Sequence, residues 1–174
     1  MHPERSRRVL EAAGACGMQN TPPGAADLSL LARVEGHAPG DLEQALAVDK
    51  SLLQAWSLRG APHIFPTRDA AVFTLALLPE DEAARQAFIL GSQAALETLG
   101  MRVETAVQHT ARAVEKVMDG RVLANKRRLD QELAAQIAPD LDEGQRAAWE
   151  SPSIYGPNQT LGEAVVSFCL RIVS

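Results

Sequence analysis

Side chains able to meet a polyanion stand at three places in this chain: Arg5, Arg7 and Arg8 near its start, Arg59 within WSLRGAPHIFPTRD (residues 56–69), and the run Lys126-Arg127-Arg128. Lys and Arg hold phosphate oxygens regardless of base sequence, so each place could be a nucleic-acid footprint, and each could equally be a solvated charged face. Arg59 stands at a turn, from which a long cation can reach a phosphate or a minor groove. His63 could line the same surface, or be a ribbon histidine hydrogen-bonded across its hairpin. Trp56 could stack on a base, but an alternating segment favours a core position beneath the turn. No nucleotide-binding Gly loop, HExxH, nucleophile elbow or paired CxxC occurs, so generic kinase or hydrolase assignments find no support.

Composition sets what these residues can be mounted on. The chain has 174 residues, 46% apolar, 22% charged and 4% aromatic. That predicts a helical globular protein with a core large enough to need neither metal nor disulfide. Cys16 and Cys169 lie far apart, without metal-ligand spacing, and are expected as reduced core thiols of a cytoplasmic protein. The longest apolar run, Ala70–Leu78, is interrupted at Thr74 and is about half the length of a membrane span. The start of the chain has charges but no long apolar run after them, so no secretory signal is expected. A net charge of −5 opposes phosphate binding in general, so any DNA contact must use a local basic face.

The elements that must position these residues follow from periodicity and breaks. Glu4–Cys16 predicts a helix ended at Gly17. GMQNTPPG (17–24) reads as an irregular loop, because Pro22-Pro23 cannot sit inside a helix. Ala25–Glu35 and Asp41–Val48 predict two further helices. From Ser51 the pattern alternates across Arg59-Gly60, which predicts a two-stranded ribbon near 52–66. A helix from Thr67 or Asp69 to Pro79 comes next, then amphipathic segments over 80–100 and 102–119. In the remainder, Asn125 should cap a helix bearing Leu129, Leu133 and Ile137 on one stripe. Further helices are expected over 142–150 and 162–172, divided by a loop at 151–159. Leu96, Met101 and Val103 read as core.

Helices followed by a ribbon is the order of a winged helix. The ribbon LQAWSLRGAPHIF (53–65), with its Trp, Arg-Gly and His, resembles the winged-helix DNA-binding family that contains the bacterial AlkZ and YcaQ DNA glycosylases. GMQNT matches that family's Gly-apolar-Gln-x-Gln loop, and Asp119–Leu123 and Leu161–Ala164 look like later landmarks. The fold class implied is mainly α with a small β-ribbon, in tandem winged-helix (helix-turn-helix) architecture. Residues 1–100 would form a first module, and 101–174 a helical linker with the start of a second. Full-length members continue further, so the chain resembles their N-terminal half.

The resemblance also implies chemistry. In these glycosylases two polar loop residues, one apart, face the damaged nucleotide. Residues i and i+2 of an extended segment project to the same side, so one can hold a water while the other steadies positive charge on the departing sugar. Here they would be Gln19 and Thr21, with Arg59, His63, Lys126, Arg127 and Arg128 as DNA contacts. Double-stranded DNA is the implied partner, and no metal or cofactor and no membrane association are expected. Thr21 departs from the family's Gln or Asp, being shorter than Gln and lacking the charge of Asp. The expectation is a DNA-binding protein with a degenerate loop. An active alkylpurine glycosylase and a truncated protein-interaction module are the alternatives.

Overall fold

The computed structural model describes residues 3–14, 16–89, 91–123 and 125–173. Contacts divide the chain into two compact units, Met1–Leu78 and Pro79–Val173.

The first unit begins with helix α1 (Pro3–Gly14), strand β1 (Met18–Gln19) and helix α2 (Ala25–Arg33). Helix α3 (Asp41–Glu43) runs on through a wider turn over Gln44–Val48. Strands β2 (Leu52–Trp56) and β3 (Pro62–Pro66) come next, joined by a 3-10 turn at Leu58–Gly60. That is the winged-helix order. The ribbon has three strands and not two, in the order β1-β3-β2, all antiparallel. Met18-Gln19 therefore belongs to the sheet, whereas the sequence suggested an irregular loop. Two residues are too short for an alternation signal, and only the partner strand reveals them.

Directly opposed residues of antiparallel strands share a face. Met18 and Ile64 lie on one face and join Val9, Ala13, Ala26, Leu30, Val34 and Leu42 in the helical core of this unit. Phe65 lies on the other face, where the Phe73 ring stacks on it at 4.6 Å and 8°. Phe73 ends α4 (Ala70–Phe73), which replaces the continuous helix expected up to Pro79. The chain instead forms 3-10 turns at Thr67–Asp69 and Leu75–Leu77 around that single helical turn. Val72 and Leu75 consequently stay exposed.

The second unit holds helices α5 (Glu82–Phe88), α6 (Gln93–Thr98), α7 (Val103–Met118), α8 (Lys126–Ile137), α9 (Glu143–Glu150) and α10 (Leu161–Val173). The expected 80–100 helix is two short ones, because Gly91 sits at φ +98° between them. Asn125 caps α8 as expected, its Oδ1 accepting from the Arg128 amide at 3.3 Å. One core joins α5 to α10 through Ile89, Leu96, Val103, Leu133, Ile137, Trp149, Val165 and Cys169. Residues 79–100 thus pack with the later helices, although the sequence placed them in the first module. Cys169 is core as expected, but Cys16 is exposed, because it lies in the turn after α1.

Candidate functional site

Gln19 is opposed by His63 across β1 and β3, and His63 by Ala55 across β3 and β2. The three therefore share a face of the sheet. Gln19 is exposed, whereas His63 is buried and its Nδ1 lies 3.0 Å from the Ala61 carbonyl oxygen. His63 bonds to the residue just before its own strand and not across the hairpin. Gly17 makes this arrangement possible: its φ is +69°, and a β-carbon there would stand 3.1 Å from the Phe73 ring and 3.7 Å from the His63 ring. Only glycine fits both the conformation and the space.

The residue between the two motif positions takes part in four hydrogen bonds. The Asn20 amide donates to the Pro62 carbonyl at 2.9 Å, and its Nδ2 donates to Gln54 Oε1 at 2.7 Å. Its Oδ1 accepts from the Gly24 and Ala26 amides at 2.9 and 3.3 Å, supplying an acceptor to the start of α2. Asn20 therefore ties β1 to β2 and to α2. By residue type alone Asn20 fits any loop. An Asn ahead of a helix start is the signal that could have found it, once the Pro-Pro turn is known to bring Gly24 back toward residue 20. Thr21 is next, exposed, with a cis bond to Pro22.

The proposed phosphate contacts are arranged unequally. The Arg59 side chain lies outside the described residues. At the start of the chain, the Arg5 side chain also lies outside them, while Arg7 pairs with Glu11 at 3.2 Å and Arg8 with Glu4 at 3.2 Å and Glu35 at 3.7 Å. Lys126 Nζ bonds Asp130 at 2.7 Å and Ser167 Oγ at 2.6 Å. Glu132 pairs with Arg128 at 2.9 Å and Arg121 at 3.0 Å, and the Arg128 hydrogen bond leads in holding its carboxyl below the usual carboxylate range. Arg127 instead donates to the Asn158 carbonyl at 2.7 Å. Of the basic run, Arg127 has its bond to a neutral partner. Burial pushes the Asp130 carboxyl up despite Lys126 beside it, and its Oδ1 is buried without a hydrogen-bond partner.

Charge also bears on which surface of the first unit could meet DNA. Residues 1–78 carry seven Lys and Arg against eight Asp and Glu, while 79–174 carry ten against fourteen. Within the first unit, α3 and its extension present Glu43 and Asp49 to solvent. Carboxylates on that helix oppose its insertion between phosphates. Gln19, on the edge strand of the sheet, is followed by the neutral Asn20 and Thr21.

A search of curated proteins returns no match. Among solved structures, the Streptomyces sahachiroi DNA glycosylase AlkZ is similar in fold, with a TM-score of 0.58 and 18% identity. The match covers 98% of this chain and 40% of that one, so the chain spans well under half the length of that glycosylase. The family model described as DNA glycosylase AlkZ-like matches residues 12–166, from the end of α1 into α10. This protein belongs to the AlkZ-like DNA glycosylase family.

Proposed function

We propose that this protein binds double-stranded DNA at the sheet edge around Gln19 and cleaves the N-glycosidic bond of alkylated purines weakly or not at all. The observation that carries this reading is the exposed placement of Gln19 opposite His63, with Thr21 where a second amide or carboxylate is wanted. A Gln19 carboxamide can hold a water by donating and accepting. The Thr21 hydroxyl lacks the reach of Gln and the negative charge of Asp, so stabilisation of a positively charged sugar falls. Arg59 and Arg127 are phosphate contacts in this reading, and Lys126 and Arg128 contribute less than Arg127 because Asp130 and Glu132 already pair with them.

The decisive experiment measures release of 7-methylguanine from methylated duplex DNA by the wild type, Gln19→Ala and Thr21→Gln, alongside duplex binding at several salt concentrations. The expected result is salt-dependent binding by all three, little release by the wild type, and release gained by Thr21→Gln. Absence of binding at low salt would overturn the reading. The exposure of Gln19 beside His63 favours a second reading, a working base-excision enzyme. Efficient wild-type release that Gln19→Ala abolishes would establish it. A protein-interaction module that binds no DNA is what remains if both fail.

A further inference from the structure

The loop over residues 151–160 of the second unit closes on itself at its base and offers apolar residues at its tip. Pro152 bridges Thr160, the Ser153 amide donates to the Gln159 carbonyl at 2.9 Å, and the Leu161 amide donates to the Ser151 carbonyl at 2.9 Å. At the tip Ile154 is 68% exposed and Tyr155 37% exposed. The Tyr155 amide donates to Ser153 Oγ at 3.0 Å, and its ring meets Phe168 of α10 edge-on at 5.2 Å, with the Arg171 guanidinium 5.0 Å over Phe168. Tyr155 is therefore held in place while it meets solvent.

Cations border the same loop. Arg127 spends one of its five donors on Asn158, and Lys126 lines the same depression as residues 156–159. A fixed aromatic ring on a loop to which an arginine also bonds suits a nucleobase stacked on the ring with its phosphate on the cation. An apolar protein partner would have no use for the cations. We infer that the Ile154-Tyr155 tip, with Arg127, is a stacking site for an unpaired nucleobase. This rests on the DNA-binding reading above and adds to it a contact with bases that have left the stack.

The test is fluorescence anisotropy of the full chain with a labelled single-stranded oligonucleotide of about 12 nucleotides and with the matching duplex. Tyr155→Ala should weaken single-strand binding about tenfold, the size of one lost stack, and Ile154→Ser about threefold through its lost apolar contact with the base, while Tyr155→Phe binds as the wild type does. Arg127→Ala should lower the salt slope by about one. Where Tyr155→Ala lowers the melting temperature, Ile154→Ser decides, since that side chain has little packing to lose. Wild-type single-strand affinity in Ile154→Ser and Tyr155→Ala, with duplex binding intact, overturns the stacking site and leaves the DNA reading standing. Failure of the wild type to bind either oligonucleotide overturns both. Capture of a protein ligand that competes with neither oligonucleotide while requiring Tyr155 also overturns it.

Discussion

Gln19 and His63 are direct partners across β1 and β3, yet Gln19 is exposed while His63 is 7% exposed. One strand pair thus holds a side chain open to a ligand and, beside it, one committed to the interior.

The two should separate in stability measurements. Gln19→Ala changes an exposed edge residue and should leave the free energy of unfolding within about 0.5 kcal/mol. His63→Ala removes a buried ring and its bond to Ala61, and should cost about 1–3 kcal/mol. Urea unfolding followed by tryptophan fluorescence checks both, and equal losses would contradict the assignment of roles.

Asn20→Ala should cost about 1–2 kcal/mol, because the Gly24 and Ala26 amides lose an acceptor. Hydrogen exchange gives the specific readout: those two amides should exchange faster, while amides in the middle of α2 hold their protection.

Gly162 has no room for a side chain, since a β-carbon there would lie inside the Trp149 indole, whose Nε1 donates to the Ala134 carbonyl at 3.1 Å. Gly162→Ala should destabilise by about 3 kcal/mol, lowering the melting temperature by about 6–12 °C. Adding Trp149→Leu should cost less than the sum of the two single changes. Additivity would place the strain elsewhere.

Asp130 makes stability depend on pH in a definite direction. Burial raises its carboxyl above the ordinary 3.8, against the opposing pull of Lys126. The fold therefore favours the protonated form, and this contribution is present below the unfolded value and lost as pH rises through the raised one. Asp130→Asn, which can still accept from Lys126, should melt a few degrees above the wild type at pH 7, and the advantage should vanish near pH 3.5. Melting curves from pH 3 to 8 test this, and a constant offset would refute it.

The two thiols should differ in reactivity. Burial pushes the Cys169 thiol up to about 12, although Thr110 bonds to it, whereas Cys16 is exposed. At pH 8 the Cys169 thiolate is roughly one part in 10⁴. A thiol reagent should modify Cys16 in the native protein and reach Cys169 only after unfolding.

Sequence alone determined the helices with strong periodicity and clear caps, α7, α8, α9 and α10, because each buries one stripe and stops at a local signal. It also determined the Leu52–Pro66 hairpin and, through the Trp, Arg-Gly and His of that ribbon with the GMQNT loop, the family. Tertiary structure decided the rest. β1 exists because β3 lies beside it, and in the 67–78 segment Phe73 stacks on Phe65 while Val72 and Leu75 stay exposed, so no continuous apolar stripe holds a longer helix. Spacing could show Lys126, Arg127 and Arg128 as adjacent cations, but Asp130 and Glu132 lie one turn further along α8, and which charges they neutralise depends on side-chain packing. Asn20 is the sharpest case. Its residue type fits any loop, and its function as a clamp arises from Gln54 and the start of α2, which the fold brings to it.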